Sequence, residues 1–287
     1  EKYNENLFFT MFSLYKVIIL FDYLKLELKN SIFSKYFLIA YLITFILLLY
    51  SFFEFITLGW GGNIADFRSF SEHYDFIDLF IISRSENRAS YLGVIAPLLA
   101  SLIYSDSYLS DKTTNYINFI YMRISKRNYL LVKLLVNFIS SGFCILISSL
   151  SMLLFLALLY GVKLNPENAL NLSGAFSNIY FGGNKYLYVF IIIIISCVFY
   201  TIFSTLSLAI SSFIKNKYIA FFTPFFYYII SGSIFVMLGF HKLNATTLFM
   251  PNNNLNIYEF IFYQLFLLII GIILFIYGVL NSYEKNN

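Results

Sequence analysis

Six stretches without a single charged side chain, at 36–53, 89–105, 134–162, 186–214, 218–240 and 260–283, constrain this chain more than anything else in it. Each is at or near the roughly 17–25 residues that a helix needs to cross about 30 Å of hydrocarbon. Lipid offers a backbone no hydrogen-bond partners, so only helices and closed barrels can span it. Barrel strands would read as segments of about ten residues with alternating polarity, and these runs are too long and too uniformly apolar for that. The reading is an all-α integral membrane protein: one transmembrane domain over 1–287, with spans at 34–56, 89–106, 129–162, 186–214, 218–239 and 259–282. Composition agrees, since 12% of residues are charged and 60% hydrophobic, where a soluble chain carries about 25% charged residues. Mean hydropathy is +0.76.

Orientation follows from the connections. With both termini placed in the cytoplasm, thirteen Lys and Arg residues fall inside and six fall outside, the six being Arg68, Arg84, Arg88, Lys163, Lys185 and Lys242. Positive residues favour the cytoplasmic side. The net charge of +4 is mostly this bias, so it implies a lipid bilayer and no nucleic-acid partner. A wealth of Lys, Asn, Ile, Phe and Tyr suggests an AT-rich bacterial genome, and hence the bacterial cytoplasmic membrane. No cleavable signal peptide is expected, because the first apolar run follows a charged stretch and lacks a small-residue cleavage site.

Residues 12–30 suit a helix lying in the membrane interface. Leu14, Val17, Ile18, Phe21, Leu24 and Leu28 share one side, and Lys16, Tyr23, Glu27 and Asn30 share the other. The bland alternative is a juxtamembrane helix packed on neighbouring subunits. Outer loops are expected at 57–88, where Trp60 would anchor at the interface, and at 163–185; 240–258 reads as an outer or re-entrant segment. Pro97 and Pro224 lie within spans, where each frees a backbone carbonyl; flexible gating points and fixed kinks fit equally. Ser141, Cys144, Ser148 and Ser151 form a stripe of small residues, as do Ser204, Ser207 and Ser211, which lets helices approach closely. Cys144 and Cys197 sit within spans as apolar fillers.

No phosphate-binding G-x-x-x-x-G-K-[ST] and no H-E-x-x-H occurs, and His73 and His241 both fall in expected outer segments. No metal or cofactor site and no catalytic residue is expected in this chain. The spans also read as free of ionisable groups, with Glu54 and Asp106 only at their ends. Carriers coupled to ion gradients keep such groups near the midplane, so the energy source is expected elsewhere.

Between the second and third runs lies a polar, mostly positive interruption, Ser105-Asp106-Ser107-Tyr108-Leu109-Ser110-Asp111-Lys112-Thr113-Thr114-Asn115, followed by Met122-Arg123-Ile124-Ser125-Lys126-Arg127. Together with Ile95-Ala96-Pro97-Leu98-Leu99-Ala100-Ser101 before it and Asn128-Tyr129-Leu130-Leu131-Val132-Lys133 after it, this resembles the ABC-2 type permease family. The apolar second span, the acidic pair Asp106 and Asp111, and the Lys opening the third span carry the resemblance. Thr114-Asn115 stands near where Gly-Thr is usual, and Arg123 takes a Pro position.

The resemblance implies the architecture of a type V exporter: six spans behind an amphipathic helix. It also implies a second permease copy or homologue and two cytoplasmic ATPase subunits that would hold ATP and Mg. A coupling helix around 106–120, within an inner segment at 106–128, would dock on the ATPase through Asp106, Asp111, Lys112, Thr113, Asn115 and Tyr116. The cargo would be hydrophobic or amphipathic, such as an antimicrobial peptide, toxin, drug or lipid. The alternatives are an ATP-independent carrier or channel, and a non-transporting assembly subunit.

Overall fold

A computed structural model describes residues 18–59, 73–84, 91–165, 170–172, 174–249 and 256–284. Leu14, Lys16, Val17, Trp60, Arg68 and Arg88, named in the reading above, lie outside this set. The described residues are helical with no strand, and six helices are long and apolar enough to cross a membrane. The protein is a multi-pass membrane protein.

After α1 (18–32) come the helices that carry the six spans, α2 (Lys35–Gly59), α4 (Tyr91–Tyr104), α7 (Lys126–Tyr160), α9 (Lys185–Phe213), α10 (Lys217–Ile230) and α11 (Ile257–Glu284), the second span running on from α4 to Thr113 and the fifth from α10 to Phe235. Shorter helices stand between them: α3 (Phe76–Arg84), α5 (Ser107–Thr113), α6 (Tyr116–Tyr121) and α8 (Ser177–Phe181). A π-helical turn, Ser231–Phe235, extends α10, and two 3-10 turns, His241–Leu243 and Ala245–Leu248, follow it. Within 240–258, Ala245, Leu248 and Phe249 are buried, so this segment folds back into the protein.

Helix α9 packs against α4, α7, α10 and α11 and holds the centre. Small residues make this possible. A Cβ on Gly271 of α11 would meet Thr205 Cγ2 at 3.1 Å, and one on Gly278 would collide with Ser212 and Phe213. Both pairs are seven residues apart, so the same faces meet over two turns. Asn137, buried in α7, donates to Thr205 (3.1 Å) and accepts from Ser204 (2.5 Å), a polar clamp across the α7–α9 seam.

Both prolines have their freed carbonyls satisfied by a neighbouring helix. Pro97 cannot bond the Gly93 carbonyl, and the Tyr228 hydroxyl of α10 donates to it at 2.7 Å. Pro224 cannot bond the Ala220 carbonyl, which accepts from Ser207 of α9 at 2.8 Å. Hydroxyls thus satisfy both freed carbonyls, as lipid-buried backbone demands.

Three expectations need correction. The stretch 57–88 is more than an outer loop, because all nine residues of α3 are buried. Asp78 and Arg84 interrupt its apolar run and hid it, yet each has partners inside the fold. The coupling helix expected over 106–120 is broken at Asn115, whose φ of 57° is left-handed, a conformation Asn tolerates. The buried face of α1 is Tyr23, Glu27 and Ser31 with Leu20, Leu24 and Leu28, while Ile18 and Phe21 face outward. Glu27, expected on the solvated side, turns inward to meet a lysine.

Candidate functional site

That lysine is Lys133, in the second turn of α7 and 1% exposed. Its Nζ lies 3.0 Å from Glu27 Oε2 on α1 and 2.8 Å from Asp111 Oδ2 on α5. The Tyr104 hydroxyl at the end of α4 donates to Glu27, and the Tyr129 hydroxyl of α7 donates to Asp111 at 2.9 Å. The two tyrosine rings stand 5.3 and 5.6 Å from the ammonium, close enough for cation–π attraction. Tyr23 of α1 stacks on Tyr129 with centroids 6.3 Å apart. Burial, and after it the Glu27 carboxylate, pushes the Tyr23 phenol well above its ordinary range.

Local sequence explains how these groups meet. Ser125 caps α7, accepting from the Asn128 amide at 3.4 Å, which starts the helix in the register that turns Tyr129 and Lys133 inward one turn apart. Asp111 sits one turn into α5 from Ser107, on the side facing α7. Two carboxylates around one ammonium leave the triad with a net negative charge, and the two phenol hydroxyls stabilise it.

The expected site residues therefore divide. Asp111 belongs to this buried cluster, where Lys133 and Tyr129 occupy the same carboxylate oxygen. Asp106 pairs with Lys217 at 3.2 Å in an exposed bridge joining α5 to α10, a kind worth at most about 1 kcal/mol. Thr113 and Asn115 are exposed at the α5–α6 corner, Lys112 is half-buried beside them, and Tyr116 opens α6. Pro97 and Pro224 lie apart, within the spans.

Next to the cluster, α1 and α6 enclose a groove of about 1140 Å³ lined by Asp22, Leu26, Tyr116, Phe119, Met122 and Arg123 among others. Phe119 and Met122 are 63% and 76% exposed. Tyr116, Phe119 and Met122 are all exposed and line this one groove, an apolar patch of the kind that marks a contact surface.

No family model matches the sequence, and no curated protein or solved structure matches it.

Sequence reasoning missed Glu27, Tyr104 and a second ion cluster at the opposite end of the bundle. There Lys185, the first residue of α9, lies 2.7 Å from Asp75 and 2.9 Å from Asp78. Asp75 also accepts from the Asp78 amide at 2.8 Å, capping α3, and Tyr180 of α8 donates to Asp78 at 2.6 Å. Burial, reinforced by Asp78, pushes the Tyr180 phenol up and keeps it a donor. The signal was an isolated acid or base beside an apolar run, but only the folded chain brings partners about 110 positions apart together. Among the described residues no group of three or more His, Cys, Asp or Glu could hold a metal ion. The inner arrangement ties α1, α4, α5 and α7 to one another through buried side chains.

Proposed function

We propose that the chain is the permease subunit of an ABC-2 type exporter in a bacterial cytoplasmic membrane, with both termini cytoplasmic. It pairs with a second permease and is driven by two cytoplasmic ATPase subunits. Its cargo is hydrophobic or amphipathic. The observation that carries this reading is the Glu27–Lys133–Asp111 cluster, which fastens the polar hairpin α5–α6 to the amphipathic helix and to two spans. A force applied to the hairpin then reaches the membrane without being lost in a loose loop. The exposed edge of the groove, Tyr116, Phe119 and Met122, supplies the contact surface, and Asp22 and Arg123 beside it can select a partner by charge.

The test is affinity purification of the tagged chain from native membranes in a nanodisc, with the co-eluting proteins counted. A stoichiometric ATPase is expected with the wild-type chain and is expected to be lost with Phe119→Asp/Met122→Asp. No ATPase with the wild-type chain in any nanodisc or gentle detergent overturns the reading.

The buried Arg84 of α3 favours a second reading, an ATP-independent carrier, because intramembrane ionisable groups line ion and substrate paths. It predicts uptake or efflux by the chain alone in liposomes.

A further inference from the structure

Three cations are fully buried among the described residues, and they are not treated alike. Lys133 and Lys185 each touch two carboxylates. Arg84, at the end of α3 and 1% exposed, touches none. Its Nη1 donates to Ser149 Oγ of α7 at 3.1 Å, its Nη2 donates to Ser196 Oγ of α9, and its Nε has no partner. The rings of Phe80 and Phe249 lie 5.6 and 5.2 Å from the guanidinium carbon. Neutral hydroxyls and ring faces orient the cation but leave its charge uncompensated, and an unpaired ion in a medium of low dielectric is strongly disfavoured.

Its depth sharpens the point. Ser196 stands eleven residues along α9 from Lys185, and Ser149 stands eleven residues before Tyr160 at the end of α7. At 1.5 Å per residue both are about 16 Å from those helix ends, roughly half of a 30 Å hydrocarbon core. Helix α3 thus enters from the end of the bundle that carries Lys185 and delivers a cation to the middle of the membrane. Phe249 closes on it from a separate segment and also reaches α4, lying 3.8 Å from where a Cβ on Gly93 would be.

We propose that Arg84 is a binding site for the oxyanion of an apolar molecule, a singly charged carboxylate or phosphodiester carried on a hydrophobic body. The Nε–Nη2 edge of a guanidinium matches two in-plane oxygens, and Nε is the nitrogen left open. One cation without a second beside it selects a single negative charge, and the buried rings of Phe80 and Phe249 must part to admit the apolar body. Ser149 and Ser196 keep the fork fixed when the anion departs. The inference takes the transporter reading as its setting and names the chemistry of its cargo, but it is tested on the chain alone. Failure here leaves ATPase recruitment standing, and failure there leaves this site standing.

The probe is decanoic acid bearing a diazirine, with the matching decanol as neutral control, applied to the purified chain in phosphatidylcholine nanodiscs. Cross-linked peptides are mapped after illumination. The acid is expected to label the Arg84, Ser149 and Ser196 regions saturably, about tenfold or more above the alcohol. Arg84→Gln removes that labelling and Arg84→Lys keeps part of it. Competition by added phosphatidylglycerol assigns the oxyanion to a lipid headgroup, and its absence assigns it to a free carboxylate. Equal labelling by acid and alcohol overturns the proposal, and that comparison on the wild-type chain holds even if Arg84→Gln does not fold. Glu86, two residues on, lies outside the described residues; labelling that appears only in Glu86→Gln would show that the chain supplies its own counter-ion, and this too overturns the proposal.

Discussion

Replacing Lys133 by Met tests the inner cluster most directly, because Met keeps the length of the side chain and removes only the charge. In the native protein two carboxylate oxygens share one Nζ, so they sit within about 6 Å of each other, where like charges at an effective dielectric near 20 repel by roughly 3 kcal/mol. Lys133→Met leaves that repulsion unscreened and two buried acids without a cation. Breaking a buried pair in this way costs about 3–5 kcal/mol. Glu27→Gln on its own leaves the Lys133–Asp111 pair intact and costs less, about 1–3 kcal/mol, the range for a weakened buried bond such as that from Tyr104. In the double variant the repulsion is gone, so about 2–3 kcal/mol of the Lys133→Met loss returns. The assay is reversible unfolding by SDS in mixed micelles, followed by far-UV circular dichroism, across the four-member cycle. A Lys133→Met loss below about 1 kcal/mol, or no recovery when Glu27→Gln is added, refutes the reasoning, since either would mean that the ions do not depend on one another.

Tyr228→Phe removes the donor on the carbonyl freed by Pro97 while keeping the ring against Phe199 and Phe203, and a loss of about 1–3 kcal/mol in the same unfolding assay is expected. Gly278→Val forces a side chain into Ser212 and Phe213, and overpacking of about 1–3 kcal/mol is expected, with the thermal midpoint in detergent as the measure.

The six spans were legible because hydropathy is a property of neighbours in sequence, and each observed spanning helix overlaps an expected one. The buried ions were not. Asp78 and Arg84 lower the apolar average of α3, and the groups they meet, Lys185 for one and two serine hydroxyls for the other, lie about 65 to 112 positions away. Glu27 looked solvent-facing because helical periodicity ranks residues by polarity, whereas a buried ammonium inverts that ranking for the single acid it meets. The break at Asn115 was half visible: Asn is the residue that most readily turns left-handed after glycine, and it stands there between a polar, threonine-rich stretch and an apolar one. The freed carbonyls of Pro97 and Pro224 followed from the proline ring alone, but their hydroxyl partners come from other helices. For the site, the sequence pointed to the hairpin 105–133 with Asp111 in it but showed nothing of the pairing with Lys133 that turns its carboxylate inward.

Helix α7 runs 35 residues without a proline. Lys133 and Ser149 stand on it sixteen residues apart, about 24 Å along one stiff rod. Rocking that rod by about 5° around Lys133 shifts Ser149 by about 2 Å. The 3.1 Å bond from Arg84 does not survive a displacement of that size. A nudge at the polar hairpin would be felt, half a bilayer away, as one hydrogen bond fewer on a buried positive charge.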